Sequence, residues 1–235
     1  MQRFETIIVG AGPAGLIAGK YLENAIILEQ KKEIGRPVQC VGMSTQSLER
    51  QGIEPSPVWT KSTIYKVERI TPNGKIIGKT KEKPLGYVVE KAGFEKHLAT
   101  KIKAKLVLET KVINIKRAGE CWQVITDRGE IFQSKYVIAA DGFNSIIRQK
   151  IFPEVEQRIN TEFAIEYSIE LENPIDIKTV KIYLDNQIIK NGYAWVFPTS
   201  QYTVNIGTGG SAKNSIALLE KFMQTKILNK LENYK

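Results

Sequence analysis

Cysteine and histidine are nearly absent from this chain of 235 residues, which has two cysteines and one histidine. Cys40 and Cys121 lie far apart in the sequence and suggest no disulfide framework. With His97 as the single histidine, the chain also lacks the ligands of a zinc site, and we expect no bound metal. This cysteine usage is typical of a protein of the reducing cytoplasm, where we expect the chain to be located.

Long apolar runs are absent as well. No stretch approaches the roughly 18 residues that span a bilayer, and residues 2–5 lead into the first apolar segment without a secretory pattern. The composition is otherwise ordinary, with 42% hydrophobic and 25% charged residues. It predicts a globular chain with one large or two small domains.

Acidic residues are outnumbered by basic ones, so the formal net charge is +9, with lysines clustered at 31–32, 79–83 and 101–105. One interpretation is a solvated surface of the kind found in thermophiles. The alternative is attraction to an anionic membrane surface, as in a peripheral membrane protein, or to a phosphorylated substrate. Nucleic acid is not expected as a partner, because no RNA- or DNA-reading motif is present.

The first 29 residues contain the most informative motif. An apolar strand, residues 6–9, precedes Gly10-Ala11-Gly12-Pro13-Ala14-Gly15, and a helical run follows. In a dinucleotide site, Gly10 permits the tight turn, Gly12 lets the backbone approach a pyrophosphate, and Gly15 lets the helix pack on the strand. The helix N-terminus then favours the phosphates.

The strand after this helix ends in Glu29. An acid at this position accepts hydrogen bonds from an adenosine ribose. Because a carboxylate repels a 2′-phosphate, Glu29 favours FAD or NAD over NADP. The glycine turn itself does not choose between FAD and NAD.

Asp141 and Gly142 follow a short apolar strand, residues 136–140. An acid and a glycine at the carboxyl end of such a strand lie where ligands bind in open α/β sheets. The alternative is that Asp141 or Ser145 only caps the next helix.

The remaining patterns predict a mixed α/β (α+β) fold. Turn residues and alternation predict a hairpin about Asn73-Gly74 and another over residues 121–132. Helices are predicted over 92–104 and 214–231. Strands are predicted over these further ranges: 86–89, 106–116, 162–171, 180–184, 193–197 and 202–207.

Four features occur in a characteristic order. They are the glycine turn with Glu29, the loop Gly35-Arg36-Pro37-Val38-Gln39-Cys40, the segment 137–148 with Asp141-Gly142, and the run Tyr193-Ala194-Trp195-Val196-Phe197-Pro198 followed by residues 204–207. Together they resemble the geranylgeranyl reductase family of flavoproteins, within the wider group shaped like p-hydroxybenzoate hydroxylase. The resemblance covers essentially the whole chain.

This resemblance implies FAD as the dinucleotide and a two-domain architecture. Residues 1–57 and 86–155 would form a Rossmann-like, three-layer FAD-binding domain. Residues 58–85 and 156–235 would form an antiparallel β-sheet substrate domain with a terminal helix.

By the same resemblance, the pyrophosphate is held by Gly10, Gly12, Ala14 and Gly15, and the ribose by Glu29. The remaining FAD contacts implied are Cys40, Val41, Met43, Lys91, Val112, Asp141 and Gly142. Lys91 stands where the family usually has arginine, so it keeps the charge without the planar fork. Cys40 is the candidate catalytic residue, as a proton donor near the flavin, or else a small buried loop residue.

Tyr193, Trp195 and Phe197 are implied to wall a cavity for the isoprenoid substrate. They alternate along a strand and therefore share one face. A packed sheet core is the alternative.

The family's next landmark, a Gly-Asp-Ala-Ala segment, does not occur before Lys235. We therefore interpret the sequence as C-terminally shortened, as a fragment, or as completed by a second chain. Three functions follow from these alternatives. One is reduction of isoprenoid C=C bonds with electrons from NAD(P)H or a ferredoxin-type donor. The second is a non-catalytic FAD- or ADP-binding remnant or subunit. The third is a flavin-dependent aromatic hydroxylase.

Overall fold

A computed structural model of the chain describes residues 1–36, 42–159, 162–211 and 215–227. The chain divides into two compact units, each assembled from two segments. The first unit contains residues 1–40 and 91–159, and the second contains residues 41–90 and 160–235. Both units are sheets with flanking helices, so the fold is mixed α/β, as predicted.

The helices and strands alternate irregularly along the chain. In chain order they are β1 (Gln2–Val9), α1 (Pro13–Tyr21), β2 (Ala25–Leu28), β3 (Gly42–Ser44), α2 (Thr45–Arg50), β4 (Thr60–Ile64), β5 (Lys66–Ile70), β6 (Ile76–Thr80), β7 (Gly86–Val89), α3 (Lys91–Ala99), β8 (Lys105–Val107), β9 (Val112–Ala118), β10 (Cys121–Thr126), β11 (Ile131–Ala139), α4 (Ile146–Ile151), α5 (Pro153–Glu156), β12 (Phe163–Glu170), β13 (Thr179–Tyr183), β14 (Tyr193–Pro198), β15 (Thr203–Gly210) and α6 (Ser215–Phe222).

The first unit is a six-stranded sheet with the order β8-β2-β1-β11-β10-β9. The strands β8, β2, β1 and β11 are parallel, whereas β10 pairs antiparallel with both β11 and β9. Ile7 of β1 pairs with Ile26 of β2, and neither side chain is exposed. Helix α1 packs against α3, and α4 packs against β9. Parallel central strands with apolar side chains need this cover from helices.

Two predicted elements of the first unit differ from the structure. The hairpin predicted over 121–132 and the strand predicted over 136–140 share one continuous strand, β11, which pairs with β10 at its start and with β1 along its length. The strand predicted over 106–116 is two strands, β8 and β9. Glu109 interrupts it, because its φ of 51° lies in the left-handed region, where a strand cannot continue.

The second unit contains two sheets. The six-stranded sheet has the order β12-β15-β14-β13-β5-β6, and the three-stranded sheet has the order β3-β7-β4. Helix α6 covers one face of the larger sheet, where Phe222 packs edge-on against Tyr183 with ring centroids 4.9 Å apart. The terminal helix predicted over 214–231 is described as α6 and a π-helical turn (Met223–Ile227); its last four residues lie outside the described part.

The unit boundaries differ from the predicted domain boundaries. Residues 41–57 and 86–90, predicted in the first domain, belong to the second unit, and residues 156–159 belong to the first. The reason is strand pairing, because β7 pairs antiparallel with both β3 and β4. These short strands therefore fold together, although the sequence between them shows no shared signal.

Candidate functional site

The glycine turn joins β1 to α1 at the carboxyl ends of the parallel strands. The Gly10 amide donates to the Leu28 carbonyl at 2.8 Å, and the Ala140 amide donates to the Val9 carbonyl at 2.9 Å. These bonds hold the ends of β1, β2 and β11 together. Gly10 has a φ of 98°, and a Cβ there would lie 2.4 Å from the Ala140 carbonyl oxygen. Only glycine meets both demands.

The other two glycines of the turn have opposite surroundings. A Cβ on Gly15 would lie 1.9 Å from the carbonyl oxygen of Gly10, whereas a Cβ on Gly12 would meet nothing within 4 Å. Gly15 is therefore needed for packing, and Gly12 borders open space. Gly12 is also the N-cap of α1, and no side chain caps that terminus. Open space beside uncapped helical N–H groups suits a pyrophosphate.

Glu29 is the buried acid at the end of β2, with 6% of its surface exposed. Its Oε2 accepts a hydrogen bond from the Ala11 amide at 2.6 Å, and its Oε1 accepts one from the Lys31 amide at 2.9 Å. The carboxylate thus fastens the glycine turn to the second strand. Since a carboxylate accepts about four hydrogen bonds, acceptor capacity remains for ribose hydroxyls.

Asp141 lies beside this turn, because its Cα would be 3.0 Å from a Cβ on Gly10. Its Oδ2 accepts a hydrogen bond from the Ile147 amide of α4 at 3.2 Å, and Ser145 caps the same helix through Arg148 N. Asp141 and Ser145 therefore do cap α4, as the alternative interpretation predicted, but only one of the two carboxylate oxygens of Asp141 takes part. Oδ1 of Asp141 is buried without a partner among the described residues, and such an atom needs a donor from a ligand or water.

The other predicted FAD contacts are scattered. Gly142 has a φ of 76° and open space around it, and Ala14 is exposed in the first turn of α1. Buried Val112 begins β9, two residues after Thr110, whose amide donates to the Glu29 carbonyl at 2.8 Å. Met43 lies on β3 in the second unit. Cys40 and Val41 lie outside the described residues.

Lys91 is engaged within its own helix. Its Nζ forms an ion pair with Oε1 of Glu95 at 2.9 Å, and the two side chains are 17% and 7% exposed. A charge held this far from water prefers to keep its partner. The structure therefore directs the Lys91 ammonium toward Glu95.

Tyr193, Trp195 and Phe197 form the aromatic face of β14 in the second unit. The ring centroids of Tyr193 and Trp195 are 5.7 Å apart, and those of Trp195 and Phe197 are 6.2 Å apart. On the neighbouring strand, a Cβ at Gly207 would lie 2.3 Å from Cζ2 of Trp195. The indole therefore occupies the space that a side chain on β15 would fill.

Sequence reasoning missed Glu166 of β12, which faces the same indole. The Trp195 Nε1 donates to one carboxylate oxygen of Glu166 at 3.2 Å, and the Asn205 side-chain amide donates to the other at 3.2 Å. Burial raises the pKa of Glu166, and these two hydrogen bonds partly oppose the rise. The sequence contains no local signal for this cluster, because it depends on the register of three strands.

A cavity of about 350 Å³ lies in the second unit. Val196 and Pro198 of β14 line it, together with charged Lys66, Glu68 and Lys226, whereas the three aromatic residues do not. The predicted aromatic wall therefore faces away from this cavity.

Two properties concern the described residues as a whole. They contain no group of three or more His, Cys, Asp or Glu side chains arranged to hold a metal ion. None of the helices found in the described ranges is long and apolar enough to cross a membrane.

Both halves of the chain are similar to known protein families. Residues 7–166 match the family profile described as pyridine nucleotide-disulphide oxidoreductase, and residues 152–235 match the profile of the geranylgeranyl reductase catalytic domain. The second match contains the aromatic face and Glu166.

Two curated relatives and one solved structure are similar over nearly the whole chain. Digeranylgeranylglycerophospholipid reductase of Methanocaldococcus jannaschii is 32% identical, over 94% of this chain and 59% of the relative. The protein of the same name from Methanococcus aeolicus is 31% identical, over 99% and 62%. The crystal structure of a geranylgeranyl bacteriochlorophyll reductase-like protein from Thermoplasma acidophilum matches with a TM-score of 0.82 at 26% identity, over 98% and 64%. The chain thus spans about three fifths of the length of these proteins.

Proposed function

We propose that this chain, which belongs to the geranylgeranyl reductase family, takes part in the reduction of carbon–carbon double bonds of isoprenoid lipids with bound FAD. The observation that carries the proposal is the aromatic face of β14, on which Tyr193 is exposed and Trp195 and Phe197 are half-buried. This face lies in the segment similar to the family's catalytic domain. A long apolar chain requires a wall of this kind. The same match favours reduction over aromatic hydroxylation.

The first unit fits the adenosine and pyrophosphate part of FAD. Gly12 borders open space at an uncapped helix N-terminus, and Asp141 has a buried oxygen that lacks a donor among the described residues. In our proposal, Gly10, Gly12, Ala14 and Gly15 hold the pyrophosphate, and Glu29 accepts from the ribose hydroxyls. Asp141 and Gly142 face the remaining cofactor, and Val112 borders the adenine.

Bound FAD supplies the hydride chemistry at its ring, while the chain's residues bind and orient. The aromatic face would hold the isoprenoid chain and exclude water from it. Cys40 stays our candidate for the proton donor, and Val41 and Met43 for contacts near the ring. Lys91 is a weaker candidate for an FAD contact, since the ion pair with Glu95 already uses its charge.

The substrate and partners are inferred from the relatives. The two curated relatives are named as reductases of digeranylgeranylglycerophospholipid, and we propose an isoprenoid glycerolipid of this class as substrate. The electron donor is either NAD(P)H or a ferredoxin-type protein. The net charge of +9 supports peripheral contact with an anionic membrane that holds such a lipid.

The proposal is tested with the full chain after incubation with FAD. We expect the protein to retain flavin after gel filtration. After reduction with dithionite, it should add two hydrogens for each reduced double bond of a digeranylgeranylglycerol phosphate, detected by mass spectrometry. Gly12→Ala serves as the matched variant that should lose flavin. Its Cβ meets no protein atom within 4 Å, so the fold is kept, but it would occupy the pyrophosphate space. A chain that stays colourless with excess FAD would contradict the cofactor assignment, and flavin retention without product would contradict the reductase assignment.

A further inference from the structure

The register of the larger sheet places three residues of the second unit in one row. Glu166 of β12 pairs with Gly207 of β15, and Gly207 pairs with Trp195 of β14. Paired positions on neighbouring strands carry their side chains on the same face. Because Gly207 has no side chain, nothing separates the carboxylate of Glu166 from the indole of Trp195.

The indole is held from two sides. Below it, a Cβ on Gly207 would lie 2.3 Å from Cζ2, and one on Gly209 would lie 3.4 Å from Cζ3. At its edge, Nε1 donates to Oε2 of Glu166 at 3.2 Å. The second oxygen of Glu166 accepts from the Asn205 amide at 3.2 Å, and this bond fixes the carboxylate itself.

Glu166 makes this contact at a cost to the fold. It is half-buried, and within the described ranges no lysine or arginine forms an ion pair with it. Burial without a neighbouring cation disfavours the charged form of a carboxylate. Groups placed in this way occur more often at functional sites than elsewhere.

We propose that Glu166 is a positioning residue that acts through Trp195. This inference rests on the function proposed above. Its carboxylate holds the indole across Gly207 and Gly209 and thereby keeps the aromatic face open to an isoprenoid chain. Without this acceptor, the indole N–H must find water or another acceptor, so the ring moves away from Gly207 and Gly209. It then moves away from the sheet into the space beside the aromatic face that the isoprenoid chain would use.

A double-mutant cycle tests this assignment on the full, FAD-loaded chain, with geranylgeraniol as the probe. Glu166→Gln presents an amide N–H where two donors converge, so one hydrogen bond is lost. We expect this variant to bind geranylgeraniol about tenfold more weakly, the equivalent of one hydrogen bond to a charged group. In a Trp195→Phe background, the same substitution should have no further effect, because the donor is already absent.

Glu170→Gln is the matched control, since Glu170 is exposed and lies on the same strand and face as Glu166. It should bind the probe as the unmodified chain does. Flavin content and the thermal midpoint of unfolding should be the same in Glu170→Gln and the unmodified chain, and Glu166→Gln should retain its flavin. Near-UV circular dichroism should show an altered tryptophan band in Glu166→Gln only.

The outcomes separate the inference from the proposed function. If the Glu166→Gln effect on geranylgeraniol binding is equal in the two backgrounds, or is absent, the positioning role is wrong. If the unmodified chain does not bind the probe while the tryptophan band still changes in Glu166→Gln, the proposed lipid function is wrong, although the Glu166–Trp195 contact stands.

Discussion

The turn glycines of the first unit and Gly207 of the second unit have different neighbours. In the first unit, a Cβ on Gly10 or Gly15 would strike backbone carbonyl oxygens, at 2.4 Å from Ala140 and 1.9 Å from Gly10. In the second unit, a Cβ on Gly207 would strike the side chain of Trp195 at 2.3 Å and the carbonyl oxygen of Ile165 at 2.7 Å. Backbone atoms of a sheet cannot move aside, whereas a side chain can change its rotamer. Gly10 and Gly15 therefore make room for the backbone alone, whereas Gly207 makes room for both the backbone of β12 and the indole of Trp195.

The largest effect should follow from Gly15→Ala. The new Cβ would clash with the Gly10 carbonyl, so either the turn or the start of α1 must shift, at about 3 kcal/mol of unfolding free energy or more. Denaturant unfolding should show the loss of stability, and gel filtration should show the loss of flavin. Gly12→Ala, whose Cβ meets no protein atom, should lose flavin but keep its stability. Equal stability losses in the two variants would contradict the distinct roles of these glycines.

Glu29→Gln should have the next largest effect. The carboxylate accepts hydrogen bonds from Ala11 and Lys31 within the buried end of β2, and an amide at this position introduces a donor without an acceptor. We expect an unfolding free energy lower by about 1.5 to 3 kcal/mol, and weaker FAD binding in equilibrium titration. Exposed Glu120 provides the control, because Glu120→Gln should change neither quantity. Unchanged FAD affinity in Glu29→Gln would argue against the ribose contact.

Gly207→Ala should act on the second unit alone. Its Cβ would displace the indole of Trp195, which is a movable side chain, and would press on the carbonyl oxygen of Ile165 at 2.7 Å. The stability loss should therefore be about 1 to 2 kcal/mol. Geranylgeraniol binding should weaken while flavin content stays unchanged. Trp195→Phe provides the comparison, since a smaller ring relieves the clash. If Gly207→Ala were as destabilising as Gly15→Ala, the contrast between Gly207 and the turn glycines would fail.

The smallest effect is a pH dependence of stability that originates at Glu166. Burial raises its folded-state pKa above the ordinary 4.5, so its contribution to stability is complete below that value and is lost as the pH rises through the folded-state pKa. Its register neighbours, Ala164, Ser168, Asn205 and Gly207, are uncharged. The thermal midpoint of the unmodified chain should therefore fall, relative to Glu166→Gln, as the pH is raised from below 4.5 toward neutrality. A constant difference across this range would show that Glu166 has an ordinary pKa.

Local sequence patterns predicted the first unit's turn well. The glycines, Glu29 and Asp141 converge as their positions after successive strands imply, because the carboxyl ends of parallel strands meet at one edge of a sheet. The sequence also predicted that Tyr193, Trp195 and Phe197 share a face, since strand side chains alternate. The Lys91–Glu95 ion pair, which engages the Lys91 charge proposed for an FAD contact, was not predicted, although the i, i+4 spacing on a helix was available as a signal.

Pairing between distant segments was the main source of error. Nothing near residues 41–57 or 86–90 indicates that they fold with the second unit, because β7 finds its partners β3 and β4 only in three dimensions. The continuity of β11 was missed for the same reason, since its two halves pair with different neighbours. Periodicity shows the face of a strand but not its partner.

The dinucleotide turn and the aromatic run could be predicted from the amino-acid sequence, because each depends on residues that are close in the chain. Three features appear only in the folded chain. Asp141 has a buried oxygen with no partner among the described residues, Lys91 pairs with Glu95, and Glu166 accepts a hydrogen bond from Trp195 across Gly207. Glu166 and Trp195 are 29 residues apart. They meet through the register of β12, β15 and β14, which is set by the packing of whole strands.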